Sequence, residues 1–252
     1  MGRIAQVQFP LQQDRRETIG RGYVLFVELP EIERPLYNFE EKTRTYFGIS
    51  VFQYIASGIA LWITCSAGVL KHNLKVEVDA LRGVVTNETI KAFLRVSTGT
   101  PEDYRRLVRG SEWREPNKLR DIYGLDAFVQ IPAIRVQRSL RLEKDSYVVP
   151  QPFYLLQKAT IGLFYLLADK ERHLAEASGA PGRNDFRDSF GTVFRAYVGK
   201  HLSLASNSVF VIDLDKDFVT QGKKPDFALI EGDVCILFEV KTTLATLNSR
   251  TV

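Results

Sequence analysis

The chain has 252 residues, enough for one large domain or two ordinary ones, and 45% of them are hydrophobic and 25% charged. These proportions are typical of soluble globular proteins and exclude wholesale disorder, collagen-like repeats and low-complexity sequence. Lysine and arginine outnumber aspartate and glutamate by 34 to 30, which permits a polyanionic partner without requiring one.

The N-terminal sequence and the cysteines indicate a cytoplasmic protein. Residues 1–17 contain no apolar run of the kind that a signal peptide needs. The two cysteines, Cys65 and Cys235, are far apart in the chain and each lies in an apolar stretch. This pattern supports neither a disulfide framework nor a cysteine-rich zinc site, so we expect a reducing compartment.

The first long apolar segment spans residues 45–70, which include no charged side chain. Its length would allow a helix to cross a bilayer. Gly48, Gly58 and Gly68 interrupt the segment, polar residues occur within it, and no basic flank or aromatic belt marks its ends. We therefore predict a buried core helix, and a membrane span is the alternative.

Several further helices are predicted before residue 180. A short strand or helix is expected at Tyr23–Val27 and a helix at 87–93, and Thr100 followed by Pro101 is typical of a helix start. A long apolar helix is expected over 153–174. Residues 1–180 are thus predicted to form a mainly helical domain that positions nucleic acid or senses a trigger.

Three arginines, Arg135, Arg138 and Arg141, recur at every third position. In a helix this spacing would bring them close together and could form a stripe that contacts phosphates. The alternative is an ordinary solvated face, because arginines are common on any soluble surface.

A Gly- and Pro-rich segment at 178–182 predicts a boundary between domains 1–180 and 181–252. After it, aromatic and aliphatic residues at spacings of three and four predict a helix over 184–202. The opposite side of this helix carries Asp188, Gly191, Thr192 and Arg195, and Gly191 would permit close approach of another backbone or a ligand. A strand is expected at 208–214, followed by a charged loop at 215–224.

Two apolar runs flank Gly232 and Asp233, which predicts a β-hairpin with a type II′ turn over 225–241. If Glu231 pairs with Val234, antiparallel counting places Asp226 opposite Glu239. Lys241 then lies on the same face as Glu239. Because the remaining positions on both faces are apolar, we expect a sheet that is covered on both sides.

Two adjacent carboxylates in such a sheet repel each other unless a cation compensates them. A hard divalent cation, Mg²⁺ or Mn²⁺, suits ligands of this type and can also bind a substrate phosphate. A nearby lysine can stabilise developing negative charge or hold an attacking water.

With Pro225-Asp226 and Glu239-Val240-Lys241, residues 184–252 resemble the PD-(D/E)xK nuclease superfamily, whose restriction-endonuclease-like core has the order α-β-β-β. The resemblance implies that Asp226, Glu239 and the Val240 carbonyl bind Mg²⁺ or Mn²⁺. It also implies that Lys241 serves the nucleophilic water, so that Asp226, Glu239 and Lys241 are catalytic. The implied activity is hydrolysis of phosphodiester bonds in DNA, or RNA, in restriction or anti-phage defence.

The chain departs from this family pattern at two points. Arg195 stands where many members carry a glutamate, and Asp188, two turns earlier, is an auxiliary candidate; Arg195 is also a candidate nucleic-acid contact. The family core continues beyond its ExK with another helix and strand, so we expect the core here to be incomplete and the chain to be a fragment. The alternative is an inactive nuclease-like binding or assembly protein, whose sheet a protein partner or a second copy completes.

Overall fold

The computed structural model describes residues 15–65, 69–71, 81–110, 127–135, 146–179, 185–204, 210–217 and 224–241. The α-helices in these ranges are α1 Arg15–Tyr23, α2 Leu29–Glu33, α3 Phe39–Phe47, α4 Val51–Thr64, α5 Asn87–Ser97, α6 Pro101–Gly110, α7 Ala127–Gln130, α8 Phe153–Ala159, α9 Ile161–Ser178, α10 Asp185–Leu204 and α11 Leu214–Asp217; a π-helical turn, Val24–Glu28, joins α1 to α2. The strands are β1 Val69–Lys71, β2 Thr98–Gly99, β3 Ala133–Arg135, β4 Ser146–Val148, β5 Phe210–Asp213, β6 Phe227–Glu231 and β7 Val234–Phe238.

The described chain is mainly helical with two small sheets. A helical domain followed by an α-β-β-β core predicts an α+β or α/β protein, and the mixed α+β class is confirmed. One sheet has the order β1-β4-β3-β2 and the other the order β5-β6-β7. In the first sheet, β2 and β3 are parallel and the remaining pairs are antiparallel. The sequence did not predict the first sheet, because its strands are only two or three residues long.

The chain divides into two compact units. The first contains the described parts of residues 1–23 and 40–170. The second contains residues 24–39 and the described part of 171–244. The sequence did not predict that residues 24–39 belong to the same compact unit as the hairpin.

In the first unit, the apolar segment 45–70 does not form one continuous helix as predicted. α3 ends at Phe47, Gly48 adopts a positive φ of 78°, and α4 begins after a capping box formed by Ser50 and Gln53. Within the described ranges, no single helix is long and apolar enough to cross a membrane. The pair α3 and α4, bent by 62°, meets that criterion only when both helices are taken together.

The predicted long helix at 153–174 is also divided, at Thr160. The Thr160 amide donates to the Gln157 carbonyl at 3.3 Å, and its hydroxyl donates to the Leu156 carbonyl at 2.9 Å. Its methyl group packs so closely on α1 that a Cβ at Gly22 would lie 2.5 Å away. The break thus coincides with a contact between residues that are distant in sequence.

A lysine is buried in the first unit. Lys158 on α8 is only 6% exposed, and its Nζ donates to the Gln130 carbonyl at 2.7 Å. Burial lowers the pKa of Lys158 to about 8, although the charge of Asp169 opposes this effect. The folded protein therefore loses the Lys158 proton at a lower pH than the unfolded chain does.

This difference predicts a pH-dependent stability. Between about pH 8 and the ordinary lysine value of 10.5, the unfolded chain holds a proton that the folded chain has released, so stability rises with pH. We expect a gain of about 1 kcal/mol between about pH 7 and pH 9, measured by chemical denaturation. Lys158→Met should lack this component, and an unchanged slope in that variant would contradict the assignment.

The second unit is built on an aromatic cluster. Phe186 and Phe190 of α10 contact Phe26, Tyr37 and Phe39, with ring centroids 5.2 to 6.4 Å apart. The Tyr37 amide donates to the Ser189 hydroxyl at 3.0 Å, which fastens residues 24–39 to α10. The predicted apolar face of α10 is confirmed at Phe186, Phe190 and Val193, all of which are buried.

Candidate functional site

The hairpin forms in the predicted register. Glu231 pairs with Val234, and the ladder continues to Phe227 opposite Phe238. Gly232 at the turn has a φ of 57°, the left-handed value that the first central residue of a type II′ turn requires. The local sequence therefore determines the register of the hairpin between Phe227 and Phe238.

The ladder changes at the end where those residues lie. The Asp226 amide donates to the Phe238 carbonyl at 2.8 Å, one residue away from the register that would put Asp226 opposite Glu239. The Val240 amide then donates to Asp226 Oδ2 at 2.6 Å. The expected face-to-face pairing of Asp226 and Glu239 is thus replaced by a capping contact between Asp226 and the backbone of Val240.

Arg195 of α10 joins this end of the sheet through two carboxylates. Its Nε donates to Asp226 Oδ1 at 2.9 Å, and its two terminal nitrogens donate to the two carboxylate oxygens of Asp213. The three side chains are 19 to 21% exposed. The guanidinium therefore lies, mostly buried, between the carboxylate of Asp213 at the end of β5 and that of Asp226, which directly precedes β6.

The contacts in this cluster shift the pKa values of Asp213 and Arg195. Partial burial by itself would raise the pKa of Asp213, but hydrogen bonds from Arg195 and the Lys216 amide outweigh it and lower that pKa. Burial would likewise lower the pKa of Arg195, whereas its hydrogen bonds and charge interactions with the carboxylates raise it. Both shifts favour the ion pair over the neutral forms.

A second layer of charge surrounds the cluster. Asp215 lies 3.2 Å from an Arg195 nitrogen and 3.5 Å from the Lys224 Nζ. Lys224 also donates to the Leu214 carbonyl at 2.7 Å. The segment predicted as a charged loop thus begins with the short helix α11, and its first residues complete the site.

One aromatic ring, that of Phe227, contacts Arg195 and also packs closely on α10 at Gly199. The guanidinium carbon of Arg195 lies 4.7 Å from the centroid of the Phe227 ring, which is buried. One turn further along α10, a Cβ at Gly199 would lie 2.8 Å from the same ring. Gly199 therefore provides the close approach that the sequence suggested for Gly191, which has no neighbouring atom within 4 Å of such a Cβ.

Glu239 and Lys241 lie at the exposed rim of the site. They form an ion pair whose side chains are 56% and 67% exposed. The hydrogen bond to Glu239 and its charge raise the pKa of Lys241, with a smaller contribution from the charge of Asp226. The direct partner of Lys241 is therefore Glu239.

This arrangement does not fit the divalent cation that the sequence predicts. Both oxygens of Asp226 already accept hydrogen bonds, and Glu239 points its carboxylate towards Lys241. The Val240 amide donates to Asp226 Oδ2, and binding of a metal by the Val240 carbonyl stays a prediction. Across the described ranges, no group of three or more His, Cys, Asp or Glu side chains is placed to hold a metal ion.

The other predicted site residues do not join the cluster. Asp188 is exposed on α10, two turns before Arg195. Arg135 is exposed on strand β3, so it cannot belong to the helical arginine stripe that its spacing suggested. Arg138 and Arg141 lie outside the described residues.

The sheet is not covered on both faces as predicted. Val234, Ile236 and Leu237 of β7 are 58%, 47% and 59% exposed, and Phe210 of β5 is 77% exposed. Among the residues of these three strands, Phe227 and Ala228 at the start of β6 are the buried ones. In the described chain, the apolar side chains of this sheet are therefore not covered on both faces.

Asp213 and Asp215 were missed as site residues by the sequence analysis. The register of β5 with β6 places Asp213 opposite Phe227, next to Asp226 in the chain. A signal was present, because an aspartate at the end of a predicted strand precedes the Pro225-Asp226 motif. The sequence did not show that β5 pairs with β6, and this pairing brings Asp213 close to Asp226.

No known relative adds to this description. No family model matches the chain, and neither a curated protein nor a solved structure matches it significantly. The function is therefore inferred from the contacts and charges of the residues themselves.

Proposed function

We propose that the second unit is a nuclease-like core that functions as a binding or assembly module without a divalent cation. The observation that carries this proposal is the Arg195 guanidinium, which contacts both Asp213 and Asp226. Two carboxylates this close need a compensating positive charge. Arg195 supplies that charge from within the chain, at the position where the family resemblance implies a metal.

The proposal predicts that divalent cations leave the protein unchanged. A ligand that binds only the folded state raises the melting temperature, so the full chain with Mn²⁺ should melt within about 1 °C of the chain in EDTA. Plasmid DNA and RNA should stay intact in the presence of Mg²⁺ or Mn²⁺. Asp226→Ala and Lys241→Ala should give the same result as the wild type in the cleavage assay.

Two outcomes would contradict this proposal. One is a Mn²⁺-induced increase in melting temperature that disappears in Glu239→Ala. The other is Mn²⁺-dependent cleavage that is lost in Lys241→Ala. Glu102→Ala is a matched control, since Glu102 of the first unit forms a comparably exposed ion pair with Arg105.

A second candidate function is metal-dependent hydrolysis of DNA or RNA, as in restriction or anti-phage defence. The hairpin favours this function, because it brings Asp226, Glu239 and Lys241 to one end of the sheet. Helix α10 and strand β5 precede the hairpin in the chain, in the order of the family core. In this function the positive charge of Arg195, whose Nε donates to Asp226 Oδ1, would compete with a metal for Asp226. Arg195→Glu introduces the side chain that the resemblance implies, and Mn²⁺-dependent cleavage by this variant alone would show that Arg195 suppresses the activity.

A further inference from the structure

The edge formed by β7 combines three features of a pairing surface. In the described sheet, β7 has β6 on one side and no strand on the other. Its sequence, Val-Cys-Ile-Leu-Phe, contains no charge and no proline, the devices by which edge strands commonly avoid pairing. Val234, Ile236 and Leu237 are about half exposed or more, at 58%, 47% and 59%.

Successive residues of β7 direct their backbone amides and carbonyls alternately to the two sides of the strand. A two-residue turn makes Glu231 and Val234 a hydrogen-bonded pair, so Val234, Ile236 and Phe238 direct their amides and carbonyls towards β6. The bond from the Asp226 amide to the Phe238 carbonyl agrees with this alternation. The backbone groups of Cys235 and Leu237 consequently point to the open edge.

We infer that β7 pairs with β7 of a second copy of this chain, antiparallel, about a two-fold axis at Leu237. In this register Leu237 lies opposite Leu237 of the other copy, and Cys235 lies opposite Glu239. Asp233 of each copy lies opposite Lys241 of the other. The pairing thus buries exposed apolar side chains and places opposite charges together at both ends.

The charges select a second copy as the occupant. Asp233 is exposed just before β7, and Lys241 is exposed just after it, 67% by side chain. In a two-fold dimer, Asp233 and Lys241 of each copy both face the opposite charge on the other copy. A strand of an unrelated protein would have to carry a positive and a negative charge at the matching positions by coincidence. Because β7 is short, the dimer should be weak and form at micromolar concentrations.

Sedimentation equilibrium of the full chain tests the inference with charge reversals. Asp233→Lys and Lys241→Asp should each weaken the dimer about tenfold or more, since each places like charges together twice. The double variant should restore the dimer, because it exchanges the two charges. Leu237→Lys should abolish it, while Phe210→Lys on the opposite edge strand, a site 77% exposed, should leave it intact.

Each other outcome overturns the inference. A chain that stays monomeric at about 0.5 mM has no such dimer. A dimer that Leu237→Lys leaves unchanged, or that Phe210→Lys disrupts, uses a different surface, and failure of the double variant to recover excludes this register. The inference rests on the proposed assembly function, but cation independence is judged separately by the Mn²⁺ melting measurement.

Discussion

Replacing Arg195 by methionine should lower the free energy of unfolding by about 3 kcal/mol. The change leaves the carboxylates of Asp213 and Asp226, which are only 21% and 19% exposed, without their shared counter-charge. Methionine keeps much of the aliphatic packing, so most of the loss should be electrostatic. Chemical denaturation at neutral pH measures the effect through the midpoint at constant slope.

The pH dependence separates this electrostatic loss from a packing loss. The Arg195 cluster keeps the pKa of Asp213 low, and without Arg195 the same carboxylate would be protonated at a higher pH. The stability that Arg195 provides through Asp213 is therefore fully present above the ordinary pKa of that carboxyl, and it is lost as the pH falls through the lowered pKa of the folded state. A deficit in Arg195→Met that stays constant over this acidic range would mean that contact with Phe227 dominates.

A matched control comes from an exposed ion pair in the same unit. Arg172 and Glu176 on α9 are each 58% exposed and lie 3.5 Å apart. Pairs of this kind contribute little, because water screens them and holding the long side chains costs entropy. Arg172→Met should thus change stability by less than about 0.5 kcal/mol.

Gly58→Ala is expected to cost about 3 kcal/mol, the upper end of the range for overpacked cores. A Cβ at Gly58 on α4 would lie 2.3 Å from the Ala159 Cβ on α8 and 2.9 Å from the Phe93 ring. Ala159 cannot rotate away, since its Cβ is fixed to the backbone. The two helices would have to separate, which loosens the best-buried part of the first unit.

Gly20→Ala is the control for the helical glycine. No atom lies within 4 Å of a Cβ at Gly20 on α1, so the substitution should stabilise the protein by about 0.5 to 1 kcal/mol through helix propensity. Thermal and chemical denaturation of both variants give the comparison. Equal effects of the two substitutions would mean that α4 and α8 do not pack as closely as the structure describes.

Local patterns predicted the elements whose geometry depends on near neighbours. Gly232 in a two-residue turn between apolar runs was enough for the hairpin register, because antiparallel pairing propagates from the turn. The start of α6 was predictable in the same way. Thr100 and Asp103 cap it reciprocally, with the Thr100 amide donating to the Asp103 carboxylate at 2.8 Å.

Helix continuity was less predictable than helix presence. The apolar segments 45–70 and 153–174 were both expected to be continuous, and each is divided. The first break has a local signal in Ser50, a helix cap followed by Gln53. The second break, at Thr160, accompanies packing against Gly22, and no short-range pattern reports such a contact.

The sequence by itself determined the hairpin, the apolar face of α10 and the presence of carboxylates near one end of a sheet. Only the tertiary structure decided what those carboxylates contact. Arg195 is 18 residues from Asp213 and 31 from Asp226, and the packing of α10 on Phe227 through Gly199 brings them together. Charge compensation depends on distances of a few ångströms, whereas sequence patterns report periodicity within one element, so the sequence could suggest the need for a cation but not its replacement by an arginine.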